Sequence, residues 1–299
     1  MIILVAGFKG YIGKYLCESF RRKNIEALGI FRDKGKFKVI WLESGEQLAT
    51  GTFVQISQTL TSQSIKVHSI VNLAADTSKD SSYEAVQKLC EANVTFNALL
   101  ARLAVDLNVT RFIYTSTYSV SMDGQSYSPQ TLYAATKYAG GNLLNYFARF
   151  EKLNIVKLYF YDIYGPLHHK NRLLPILIEA LITGQSVRLS PGEQETSPLF
   201  VYDACDAILH SLFQLQEENL CDYSVMGPEK FQVKEIPNIV SKALGISWKV
   251  NQLLADKDYR SNEIMSLAPL YPNIPDWKPR YTLEAGLSEM SKHYNLKRG

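Results

Sequence analysis

Over the first 165 residues, short apolar runs alternate with longer stretches in which apolar residues recur every three or four positions. Residues 2–6, 27–31, 70–74, 112–114 and 155–159 are runs of the first kind and predict strands. The run at 70–74 is nearly unbroken, as suits a central parallel strand covered on both faces. Residues 11–23 predict a helix with Ile12, Leu16 and Phe20 on one face. Helical spacing is clearest over 84–107, where Ala85, Leu89, Ala92, Phe96, Leu99 and Leu103 are separated by four and three residues in turn. Residues 134–152 predict a second long helix. Strands and helices in alternation imply an α/β fold with a doubly wound parallel sheet.

Beyond Gly165-Pro166 the alternation loosens. Residues 174–183 and 236–244 predict helices, Pro191-Gly192 and Gly227-Pro228 mark turns, and Pro269, Pro272, Pro275 and Pro279 break up the later stretch. We therefore expect a first part over 1–165 and a smaller α/β lobe over 166–299, with a soft boundary and segments that can interleave.

Composition adds mainly exclusions. A net charge of +3 argues against nucleic acid or an anionic membrane as partner. Cys17, Cys90, Cys205 and Cys221 lie far apart with no CxxC pair, which predicts free thiols, no metal and a reducing, cytoplasmic setting. His68 and His210 sit in structural patterns, while His168 and His169 follow the Gly165-Pro166 turn, where a ligand could reach them.

Gly7, Gly10 and Gly13 form a GxxGxxG string between the first strand and the first helix. Gly7 allows the tight turn, Gly10 lets a pyrophosphate approach the backbone, and Gly13 lets the helix pack against the sheet. The N–H groups of Tyr11, Ile12 and Gly13 at the helix start then face the phosphates. This is the dinucleotide site of a Rossmann-like sheet. At the end of the second strand, Arg32 can pair with a 2′-phosphate, and Lys9 is a second cation for the same task. We expect NADP(H) on this basis, and Asp33 keeps NAD(H) open.

Tyr133 and Lys137 are four residues apart at the start of a helix, on one face. A tyrosine hydroxyl is a poor proton donor or acceptor near neutrality, and a fixed ammonium beside it is expected to lower its pKa. The Thr/Ser-rich stretch 114–119 leaves a strand C-terminus, where a substrate oxygen can be held.

These strings together resemble the extended short-chain dehydrogenases/reductases, the NAD-dependent epimerase/dehydratase family. The likeness runs through GFKGYIG, VNLAA (71–75), Asn93, the TST triplet, YAATK, YDIYGP (161–166), RLLP (172–175), PGEQ, FVYDACDA, RSNEI and DWKP. It implies Thr117 as the catalytic hydroxyl, Tyr133 as the acid and Lys137 as its partner. It also implies cofactor contacts at Leu73, Ala74, Ala75 and Asn93, and diphosphate contacts at Arg172 and Arg260, with Arg188 as a weaker third. Within the family, the PGEQ, NEIM and WKP strings and Arg32 are most similar to reductases of nucleotide-linked 4-keto-6-deoxy and 3,6-dideoxy sugars, enzymes of deoxysugar biosynthesis for surface polysaccharide. A homodimer built on the helices near 84–107 and 134–152 is the family habit.

The chain departs from the family pattern at four places. Thr196-Ser197 replaces an Arg-Asp pair, Asp162 an Asn, Tyr159 an Arg, and Tyr118-Ser119 the Asp-Glu pair of the sugar dehydratases. The expected activity is therefore NADPH-dependent reduction of a 4-keto sugar nucleotide. The alternatives are a 4-epimerase that retains NAD(P) and, from another class, a non-catalytic NADP(H)-sensing scaffold.

Overall fold

The computed structural model describes residues 1–121, 123–167, 172–215, 219–250, 252–255 and 267–294. Along the chain come β1 (Ile2–Ala6), α1 (Tyr11–Arg22), β2 (Glu26–Asp33), β3 (Lys36–Trp41), β4 (Gln47–Gly51), α2 (Phe53–Ser62), β5 (Val67–Asn72), α3 (Tyr83–Cys90), a π turn at Glu91–Thr95, α4 (Phe96–Asp106), β6 (Arg111–Thr117), α5 (Leu132–Phe150) and β7 (Ile155–Phe160). Then follow β8 (Ile163–Tyr164), α6 (Leu173–Thr183), β9 (Val187–Leu189), β10 (Glu195–Thr196), β11 (Leu199–Phe200), α7 (Val201–Phe213), β12 (Leu220–Val225), β13 (Phe231–Gln232), α8 (Ile236–Leu244), β14 (Leu253–Ala255) and α9 (Leu283–Ser291).

Eight strands form one sheet in the order β12-β7-β6-β5-β1-β2-β3-β4. It is parallel from β12 to β2, with near-continuous apolar strands covered on both faces. From β2 onward it turns antiparallel. The polar-interrupted stretch 32–69 held no expected element, yet it supplies β3, β4 and α2. The hairpin between β2 and β3 turns on Lys34 (φ 46°) and Gly35 (φ 81°), the two positive-φ positions that a tight β-hairpin needs.

The helix expected over 84–107 is one helical run with a π turn in the middle. The extra residue rotates the later face. Ala85, Leu89 and Leu103 are buried as expected, but Leu99 is exposed, and Asn93, Asn97 and Leu100 point inward.

One apolar core lies under α1 and α7 (Leu16, Phe20, Val71, Leu158, Ile208) and a second under α2, α4 and α5 (Leu28, Ile56, Leu100, Phe112, Leu144). A third joins Leu177, Phe200, Ile236, Leu287 and Met290 from the later elements. Residues 201–225 interleave with the first part: β12 pairs in register with β7, and α7 packs on α1. Buried Arg111, at the start of β6, donates to the carbonyls of Ser211, Leu212 and Leu215 at 2.8, 3.0 and 2.9 Å. These carbonyls at the end of α7 have no helical partner of their own.

All four cysteines are free. Among the described residues, no helix is long and apolar enough to cross a membrane, and no group of His, Cys, Asp or Glu could hold a metal ion.

Candidate active site

The glycine turn has the shape its spacing predicts. Gly7 has φ +81°, and a Cβ there would lie 2.6 Å from the Ala74 nitrogen. At Gly13 a Cβ would come within 2.3 Å of the Gly7 carbonyl oxygen, so α1 can sit this close to β1 only with glycine at that position. Gly10 caps α1 without a side-chain hydrogen bond, and no acidic residue lies in the first turn. The helix start, with Tyr11, Ile12 and Gly13, is thus open to an anion. Leu73 and Ala74 lie against Gly7 on the other side, and Ala75 follows at the exposed rim. A cradle that a Cβ would fill fits a dinucleotide pyrophosphate.

At the end of β2, Arg32 is exposed and pairs with Glu91 at 3.3 Å. The Lys9 ammonium lies 3.6 Å from the centre of the Phe31 ring. Asp33 is tied to Lys38 at 2.7 Å.

Of the catalytic candidates, Thr117 closes β6, and Tyr133 and Lys137 lie in the first turns of α5. Thr131 caps α5 through the Ala134 N–H, which fixes the turn carrying Tyr133. Tyr114 grips Lys137 twice: its hydroxyl donates to the Lys137 carbonyl at 2.7 Å, and the Lys137 ammonium sits 4.2 Å over its ring. Thr117 is buried, and its hydroxyl lies 3.0 Å from that of Ser119.

Burial pulls the Lys137 ammonium down to about 7 and pushes the Tyr133 phenol up to about 12, with the Arg172 charge opposing the rise. The lowering of Tyr133 expected from Lys137 is thus not what this structure shows. An amine that loses its proton near 7 is already neutral where the phenol titrates, and both groups feel desolvation first.

Asn93 reaches the site as a strut. Its carbonyl accepts from the Asp76 N–H at 3.0 Å, and its amide donates to the Asp76 carbonyl and to Thr136 Oγ1, both at 3.0 Å. Thr136 in turn donates to the Tyr133 carbonyl at 2.9 Å. Asn97 works beside it, accepting from Asn72 at 2.9 Å and donating to the Gly140 carbonyl at 2.8 Å. Buried amides satisfied in this way hold the 73–76 loop and α5 in one geometry. Sequence reasoning missed Asn72 and Asn97; the signal was two asparagines four apart on a helix, facing a third at a strand end.

Arg172 precedes α6 and is exposed, with its charge felt by both Tyr133 and Asp162. Arg260, like His168 and His169, lies outside the described residues. Arg188 stands exposed on β9 in the later part. His68 bonds Ser69, and His210 bonds the Pro275 carbonyl, both away from the site.

The profile of the NAD dependent epimerase/dehydratase family matches residues 3–225. Over 280 residues the chain is 25% identical to the CDP-abequose synthase of Yersinia pseudotuberculosis, covering 92% of this chain and 94% of that protein. Its Salmonella typhimurium counterpart is 24% identical and covers 97% of each. Among solved structures, a double mutant of DesIV, a dTDP-glucose 4,6-dehydratase from Streptomyces venezuelae with NAD bound, superposes with a TM-score of 0.77 at 20% identity. That match covers 100% of this chain and 98% of the other.

Proposed function

The chain belongs to the NAD dependent epimerase/dehydratase family, and within it we propose an NADPH-dependent reductase of the 4-keto group of a nucleoside-diphosphate 6-deoxy- or 3,6-dideoxyhexose. The observation that carries this reading is the Thr117, Tyr133 and Lys137 set at the end of β6, with a tyrosine rather than an acid directly after Thr117. Ketone reduction needs one proton donor at the carbonyl oxygen, and Tyr133, kept protonated by burial, is that donor. The Thr117 hydroxyl orients the same oxygen, and Lys137 holds the ribose hydroxyls. The nicotinamide, when bound, supplies the hydride. The near full-length likeness to CDP-abequose synthases supports the reductase reading.

The 2′-phosphate of the cofactor has support of its own. Lys38 neutralises Asp33, the group that would repel a 2′-phosphate, while Arg32 is free to turn from its exposed and weakly held partner Glu91. Arg172 and Arg260 remain our candidates for the substrate diphosphate. Tyr83, Val86, Leu99, Leu143, Tyr146 and Phe150 stand exposed along α3, α4 and α5, and we propose that they meet a second copy of the chain.

The test is incubation with a panel of nucleotide-linked 4-keto sugars while NADPH absorbance is followed. Stoichiometric loss of NADPH is expected, and Tyr133→Phe should lower kcat by at least about a hundredfold with cofactor binding intact. Interconversion of epimers without net NADPH loss would make the protein an epimerase. Binding of NADP(H) with no turnover on any of the panel would leave it a cofactor-sensing scaffold.

A further inference from the structure

Tyr118, Asp162 and Thr196 come from three segments and form one hydrogen-bonded group. Tyr118 Oη donates to Asp162 Oδ1 at 3.2 Å, and Thr196 Oγ1 donates to Oδ2 at 2.8 Å. The Tyr118 ring is stacked on Tyr161, with centroids 4.8 Å apart and planes 15° from parallel. Thr196 is buried, whereas Tyr118 and Asp162 keep a partly exposed edge. The group therefore forms part of a wall. Tyr118 directly follows Thr117, and Thr117 pairs with Phe160 two residues before Asp162, so the group stands at the strand end that carries Thr117. These residues occupy three of the four places at which the chain departs from its family pattern.

The polarity of this wall follows from proton count. A hydroxyl has one proton to donate. Tyr118 and Thr196 both give theirs to Asp162, so lone pairs are what they present outward. Burial raises the Asp162 pKa, while the two hydroxyls and the charges of Arg172 and Lys79 act against that rise and favour the ionised form. An ionised carboxylate is acceptor-only as well. A ligand donor placed here finds an acceptor, and a ligand carboxylate finds no donor among these three side chains.

On the reading that a nucleotide sugar binds at this strand end, we propose that Asp162 is a specificity-determining residue: it accepts a hydrogen bond from a hydroxyl or amine of the sugar and turns away sugars that carry a carboxylate. Selectivity then rests on a repulsive element as much as on an attractive one.

The test is calorimetric titration of the full chain with matched nucleoside-diphosphate glucose and glucuronate, each with uracil, thymine and cytosine bases. For the base that binds, the glucose compound should bind at least about tenfold more tightly than the glucuronate. Asp162→Asn, which keeps the shape and adds a donor, should bring the two within about threefold while glucose binding holds. Tyr118→Phe keeps the carboxylate and should keep the discrimination. Equal binding of the pair by the unmodified protein, or an unchanged ratio in Asp162→Asn, overturns the role of Asp162 and leaves the nucleotide-sugar reading standing. Binding of neither compound with any base overturns that reading itself.

Discussion

Tyr114 shows how a residue with no chemistry of its own can set up the residues that have it. By holding the Lys137 backbone and covering its ammonium, it keeps an amine in a place where burial disfavours its charge. The linkage has a definite sign. Lys137 titrates near 7 in the folded protein against an ordinary 10.5, so between those values the unfolded chain holds one more proton, and stability rises with pH through that window. Lys137→Met lacks this slope. Its stability advantage over the unmodified protein should be greatest below about pH 7 and should shrink by at least about 1.4 kcal/mol, the worth of one pKa unit, by about pH 9.5. Urea unfolding at the two pH values measures it, and a gap independent of pH would count against it. At the cofactor end, Arg32→Ala should weaken NADPH about tenfold or more and leave NADH nearly unchanged in fluorescence titrations. A preference for NADH in the unmodified protein would remove the basis for NADP(H). The positions of the glycines at the β1–α1 turn and of Tyr133 and Lys137 at the start of α5 were legible in the sequence because each sits in a short string of fixed spacing. The group around Asp162 was not legible, since its partners lie 44 and 34 residues away and meet only through the fold.

Among the elements, the π turn at Glu91–Thr95 governs how α5 approaches its neighbours. At Gly140 a Cβ would lie 2.1 Å from the Asn93 carbonyl oxygen, which belongs to this turn. Gly140→Ala must push α5 off the turn and strain the Asn93–Thr136 and Asn97–Gly140 bonds with it. We expect a loss of about 1–3 kcal/mol in denaturant unfolding, together with weaker cofactor binding, because the 73–76 loop hangs from the same asparagine. Gly140→Ala at full stability would show that the turn yields freely. The sequence pattern identified the helical run but not the turn, because a 4-3-4-3-4 spacing looks the same until one extra residue rotates it, and it was the exposed Leu99 that gave the rotation away. β3 and β4 escaped notice because Lys36, Lys38, Gln47 and Thr50 interrupt their apolar pattern. The Lys34-Gly35 turn was the available clue.

At the scale of the molecule, the proposed face for a second copy is open to direct measurement. If α3, α4 and α5 bury Leu99, Leu143 and Tyr146 in a dimer, the unmodified protein should run at twice its chain mass in light scattering. Leu99→Glu combined with Tyr146→Glu should shift it to the monomer, since both positions are exposed within one chain and neither substitution disturbs its core. A monomer at all concentrations would remove the dimer. The return of residues 201–225 to the main sheet has a different kind of consequence. A cut of the chain at residue 165 would separate β7 from its register partner β12, take α7 off α1, and remove three carbonyls from the Arg111 guanidinium. The later half is therefore not a unit that comes away whole at residue 165.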